Sequence, residues 1–96
     1  MPSFRVILTI GALHPGIAPT SVEPRIAAAV RENAVVEATS IDIVAGEPRL
    51  TVRFTAAEVR EALAVAQSAA RAANSCARVD HWRLTERVGG RWFRRA

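Results

Sequence analysis

Cys76, Asp80 and His81 are the residue types of a thiol nucleophile with its base. That chemistry needs the imidazole within hydrogen-bond reach of the sulfur. Asp80 and His81 are neighbours in an alternating, strand-like run, so their side chains are expected on opposite faces. Cys76 falls where a helical pattern gives way to a strand pattern, and a small buried thiol is ordinary there. A catalytic pair is therefore not expected. His14, in "LHPG", reads as a turn residue. One cysteine cannot close an internal disulfide, and with two histidines it cannot complete a structural zinc site without carboxylates. The chain holds no Cys-x-x-Cys, phosphate-binding loop or dinucleotide fingerprint. No catalytic residue, metal ligand or cofactor is assigned.

The second chemistry is that of guanidinium. All 13 basic residues are arginine, and alanine occurs 19 times. Arginine grips carboxylate or phosphate bidentately and stacks on aromatic rings. A genome favouring Arg and Ala codons would leave the same mark, so composition alone does not indicate selection for phosphate. Position is more informative. Residues 1–77 carry seven arginines and seven acids. Residues 78–96 carry six arginines against Asp80 and Glu86, so the whole net charge of +4 lies in the last fifth of the chain. That segment ends in "RVGGRWFRRA", where Gly89-Gly90 separates two arginine-bearing stretches and Trp92 lies among them.

Something must hold those groups in place. "FRVILTI" alternates and predicts a first strand with Phe4, Val6, Leu8 and Ile10 on one face. Two prolines and two glycines make Gly11–Thr20 a loop. Ser21 is a candidate cap for a helix that tolerates Pro24 in its first turn and carries Ile26, Ala29 and Val30 at helical spacing. "VVEATSIDIV" predicts a second strand whose apolar residues change parity, which a β-bulge would reconcile. "AGEP" is a turn, and "RLTVRFT" a third strand. "TAAE" at Thr55–Glu58 has the form of a capping box. The helix after it places Val59, Leu63, Ala66, Ala70 and Ala73 on its apolar stripe, with Asn74-Ser75 as its end. "RVDHWRLTERV" is a fourth strand, with Trp82, Leu84 and Val88 on one side and His81, Arg83, Thr85 and Arg87 on the other. Gly89-Gly90 suits a two-residue hairpin turn, after which "RWFRR" returns as an edge strand.

The order is β-α-β-β-α-β with an added C-terminal hairpin strand. It points to one ferredoxin-like α+β sandwich over residues 1–96, two helices covering one face of an antiparallel sheet. The other face would be open and would carry Arg5, Ile7, Thr9, Thr51, Arg53, His81, Arg83, Thr85 and Arg87. Gly-Gly pairing puts Trp92 opposite Arg87, close enough for a cation–π stack, and turns Phe93 inward beside Val88. The "RVGGRWFRRA" segment is thus expected to be an ordered hairpin strand, and arginines there also discourage edge-to-edge aggregation.

Three uses of the open face compete. The reading that ranks first is a non-catalytic binding or assembly module that self-associates through this face, as a homodimer or higher homo-oligomer. The second is a nucleic-acid or polyanion binder, and Arg53, His81, Arg83, Arg87, Arg91, Trp92, Arg94 and Arg95 are the candidate polyanion- or partner-binding residues. The third is a dimeric α/β-barrel enzyme, by fold analogy alone, with Trp82 or Trp92, His81 and Arg83 lining a cavity. The element order is shared with the RNA-recognition motif, but the third strand's only aromatic, Phe54, has helix-facing parity and the first strand exposes Ile7 and Thr9. That match fails on its stacking aromatics. "RLTERVGGRW" resembles the arginine-rich strand turn of RelE/ParE-type ribonuclease toxins, whose helices precede most of their strands, so the element order disagrees. No apolar run reaches the roughly 20 residues of a membrane helix, and the start makes a poor signal peptide. The expectation is a cytoplasmic protein with no membrane partner.

Overall fold

The computed structural model describes every residue from Met1 to Ala96. Alternating apolar residues make the strands, and alanine-rich runs make the helices. The first strand, β1, spans Ser3–Leu13, and the helix α1 covers Val22–Arg31. The strands β2 (Val35–Val44) and β3 (Glu47–Thr55) form a hairpin. The helix α2 spans Val59–Cys76, and β4 (Ala77–Val88) and β5 (Arg91–Arg94) form the last hairpin. The result is an α+β domain with a five-stranded sheet ordered β2-β3-β1-β4-β5, antiparallel at every pairing.

Two connections pass through helices and each skips one strand. From β1 the chain runs through α1 to β2, with β3 lying between. From β3 it runs through α2 to β4, with β1 between. The central strand β1 is therefore paired along both edges. Its inward residues Phe4, Val6 and Leu8 meet Phe54, Val52 and Leu50 on one side, and Val6 and Leu8 meet Leu84 and Trp82 on the other. Phe4 and Phe54 stack with centroids 6.0 Å apart. Ile26 and Val30 of α1 and Ala62, Val65, Ala66, Ala69 and Ala73 of α2 close this layer. Small alanine side chains let α2 lie against both the sheet and α1.

Several local expectations give way to tertiary pairing. The Thr55–Glu58 capping box does not form. Thr55 stays in β3, paired with Ser3 and Val35, and the Ala56 amide donates to the Pro2 carbonyl. Pairing at the sheet end holds that backbone extended, so α2 begins at Val59. Of its expected stripe, Ala66, Ala70 and Ala73 are buried; the stripe widens to Ala62, Val65 and Ala69, and Val59 is left exposed. The helix runs through Asn74-Ser75 and stops at Cys76. Ser21 stands at the N-cap position of α1 as expected, but it also closes a 3-10 turn, Pro19–Ser21, and its hydroxyl donates to the Ala18 carbonyl and makes no capping bond to the helix. Of the expected α1 stripe, Ile26 and Val30 are buried and Ala29 is half-buried, while Ala27, outside that stripe, is buried as well.

The parity change in β2 is resolved by a register shift between Val36 and Ala38. Glu37 is the extra residue. Val36 keeps its place beside Phe54 while Ala38 meets Arg53 on the opposite face. Both hairpins use two-residue turns with positive φ. At Gly89-Gly90 the angles are 58° and 81°, as the glycine pair implies. At Ala45-Gly46 they are 53° and 80°, and Ala45 takes a conformation uncommon for a side-chain-bearing residue.

Candidate functional site

Alternation sends one set of side chains away from the helices. On β1 these are Arg5 and Ile7, on β3 Arg49, Thr51 and Arg53, on β4 His81, Arg83, Thr85 and Arg87, and on β5 Trp92 and Arg94. The register places Arg5 beside Arg53 on one side and Thr85 on the other, with Arg94 beyond Thr85. Ile7 sits between Thr51 and Arg83.

Trp92 organises this face, but not with the partner expected. It pairs with Arg87 across the hairpin, yet its ring lies under the Arg5 guanidinium, 3.8 Å from centroid to carbon, and Arg53 is 5.4 Å away. Twist explains the choice: the large indole crosses the narrow β4 row diagonally and reaches the central strand. Arg5 was legible as an open-face residue and not as a site residue. The signal that could have found it is diagonal reach between neighbouring strands.

Charge on this face is poorly compensated. Arg53 Nε donates to Glu37 Oε1 at 3.2 Å, and Ser3 Oγ donates to the same oxygen at 2.7 Å. The bulge at Glu37 is what brings that carboxylate over. The Ser3 hydroxyl bond above all holds the Glu37 carboxyl below its ordinary pKa; burial pushes the other way, and the Arg53 charge and hydrogen bond and the Arg87 charge add to the lowering. Arg94 Nε donates to the Ala96 oxygen at 3.2 Å, whereas Arg5, Arg49, Arg83 and Arg87 have no carboxylate within 4.0 Å. Burial, followed by the charges of Arg53 and Arg87, lowers the Arg5 pKa. Two buried polar atoms on this face lack any hydrogen-bond partner, Arg49 Nε and Thr85 Oγ1.

The eight residues expected to bind a polyanion or partner do not form one surface. Arg53, His81, Arg83, Arg87, Trp92 and Arg94 share the open face. Arg91 and Arg95 have the opposite parity, because they follow Val88 and Phe93 rather than Arg87 and Trp92. Arg95 Nε donates to Glu86 Oε1 at 2.9 Å, and its guanidinium lies 5.7 Å from the Phe93 ring centroid. Phe93 is 42% exposed and Val88 48%, since the helices do not extend over this hairpin. Trp82 packs on the helix-side core, away from His81 and Arg83, so these three cannot line one cavity.

The residues with nucleophile and base character are also apart. His81 Nε2 is hydrogen-bonded to Thr9 Oγ1 at 3.0 Å. Asp80, the extra residue of a bulge between Thr9 and Ile10, pairs with Arg78 at 2.8 Å. Cys76 is buried, with Arg25 Nη1 at 3.9 Å and Ser75 Oγ at 3.7 Å from its sulfur. His14 Nε2 donates to the Asn74 carbonyl and the His14 amide to the Cys76 carbonyl, which ties the long loop to the end of α2. No three His, Cys, Asp or Glu side chains cluster as a metal site would need. No helix is long and apolar enough to cross a membrane.

The open face is concave where β1, β2 and β3 meet. A depression of about 290 Å³ there is lined by Arg5, Ile7, Ser40, Asp42, Thr51 and Arg53. A second, apolar cleft of about 220 Å³ lies on the helix side, among Ile10, Leu13, Val22, Ile41, Pro48 and Leu50. No protein-family model, curated protein or solved structure matches the chain.

Proposed function

We propose that this chain is a ferredoxin-like assembly module that forms a homodimer through its open sheet face. Strand order supports the fold reading: taking the added strand away leaves β4-β1-β3-β2 with two helical crossovers, each skipping a strand. The single observation carrying the functional reading is the division of charge across that face. At the β2 side stand Glu37, Asp42 and Glu47, and no basic residue occurs from Glu32 to Pro48. At the β4–β5 side stand Arg83, Arg87 and Arg94, and no acid occurs from Arg87 to Arg95.

A two-fold axis near β1 would lay the acidic side of each copy over the basic side of the other. Such a face is self-complementary, as an isologous contact requires. Ile7 at the centre would be removed from water. Arginines that lack acids within their own chain would gain them from the second copy. Light scattering or sedimentation over about 5–500 μM tests this, since those concentrations bracket weak to moderate association. A dimer mass is expected. Reversing Arg87 and Arg94 to Glu should give a monomer, and adding Asp42→Arg and Glu47→Arg in the same chain should restore the dimer. A monomer throughout the range, or a dimer indifferent to the reversals, ends the reading.

A polyanion-binding role ranks second. It is favoured by Arg83 and Arg87 having no intrachain acid. It is weakened by Trp92, whose ring is occupied by Arg5 rather than free to stack on a base. Binding of a mixed oligonucleotide that falls steeply with salt would raise it.

A further inference from the structure

We propose that the depression between β1, β2 and β3 is a binding site for a small oxyanion, a carboxylate or a phosphate monoester, gripped by Arg5 and Arg53. The two guanidiniums are direct cross-strand neighbours at one end of the hollow. Arg5 has no carboxylate partner, and Arg53 uses only its Nε on Glu37, so its terminal nitrogens remain free to donate. Planar, forked donors side by side suit the oxygens of a carboxylate or phosphate. The indole of Trp92 lies against the Arg5 guanidinium and fixes its plane while leaving its N–H edge free. Such preorganisation lowers the ordering cost of binding. Arg5 is already disfavoured in its charged form by burial and by Arg53 and Arg87, and an anion there would relieve that repulsion.

The rest of the hollow selects against a polymer. Asp42 closes its far side and Glu37 stands beside Arg53, so a continuous polyanion crossing the hollow toward β2 would meet two carboxylates. A compact ligand with one charged end avoids them. Ser40 and Thr51 offer hydroxyls to its body, Ile7 an apolar floor, and Asp42 an acceptor for a hydroxyl or amine. A volume of about 290 Å³ is at the small end of ligand sites.

Trp92 supplies the readout. In a Trp82→Phe variant it is the only tryptophan. Its emission would be followed while adding inorganic phosphate, glycerol 3-phosphate or succinate, against chloride at matched ionic strength. Saturable change is expected for at least one, with a dissociation constant of about 1 mM or lower. The phosphate and succinate arms tell the two oxyanion classes apart. Arg5→Lys and Arg53→Gln should each weaken it about tenfold or more, whereas Arg31→Ala, at the end of α1, should leave it unchanged. The Trp92 indole N–H resonance of the unmodified chain gives the same reading should Trp82→Phe fail to fold. No response beyond chloride's, or binding that survives both Arg5→Lys and Arg53→Gln, overturns the proposal. Mass measured in the same buffers separates it from self-association: a monomer that binds the anion keeps this site and loses the dimer, and a dimer with no anion response does the reverse.

Discussion

The two faces of this sheet are cut from the same strands, residue by residue in alternation, and they reach opposite outcomes. On the covered face, Phe4, Val6, Leu8, Val52 and Phe54 are fully enclosed, and no polar side chain there lacks a partner. On the open face, both unpartnered buried polar side-chain atoms of the protein lie among arginines, four of which have no acid within 4.0 Å. The centre of the covered face is closed inside one chain, while at its two ends Ile41, Ile43, Val88 and Phe93 stay exposed. The open face carries unmet hydrogen bonds and unmet charge, and these are requirements that a second molecule can meet. The difference teaches where to look for function in a chain without a catalytic motif: on the side where satisfaction is incomplete.

Substitutions that separate the faces should follow a steep gradient. The largest effect belongs to Phe54→Ala, which opens a cavity opposite Phe4. A loss of about 3–5 kcal/mol in denaturant unfolding is expected, which is a large share of the roughly 5–15 kcal/mol typical of a domain. A loss below about 1 kcal/mol would mean that the covered face is not the stabilising one. Trp92→Ala on the open face should cost less, about 1–2 kcal/mol, from a cation–π contact and half-buried area. It should also free Arg5, which the Arg5 Nε–H resonance would report.

Thr85→Val has the opposite sign. The Thr85 hydroxyl is buried without a partner, so replacing it with an isosteric methyl should stabilise the isolated chain by about 1 kcal/mol. Destabilisation would reveal that the hydroxyl is bonded in solution. The smallest effect is that of Glu37→Gln, under about 1 kcal/mol, because this ion pair is solvent-accessible. Its pH dependence has a defined direction. The folded pKa of Glu37 lies below its unfolded value, so its contribution is complete above the ordinary carboxylate pKa and disappears as pH falls through the lowered one. Wild type and Glu37→Gln should therefore differ in thermal midpoint near pH 7 and converge in acid.

Most of the architecture was legible because period-two alternation is written into the strands themselves. β2 spans the Val35–Val44 expected from its β-branched run, including a bulge inferred from its change of parity, and the Gly89-Gly90 turn pairs Arg87 with Trp92 as the glycines imply. Helix boundaries were less legible. A capping box is a local preference worth about 1 kcal/mol, and at Thr55 it competes with sheet pairing to Ser3 and Val35. The candidate site was half legible: alternation assigned Arg53, His81, Arg83, Arg87 and Trp92 to one face, and the same alternation, carried through the last hairpin, puts Arg91 and Arg95 on the other. It could not single out Arg5.

Order of elements, face assignment and the lopsided charge are thus properties of the chain read as a line, because each depends on neighbours one to four residues apart. The stack of Arg5 on Trp92, 87 positions later in the sequence, depends on which strands lie side by side and how far the sheet twists. So do the hollow between β1, β2 and β3 and the carboxylate that Glu37 lends to Arg53. Those contacts join residues distant in sequence, and only closing the sheet in the order β2-β3-β1-β4-β5 brings them within reach.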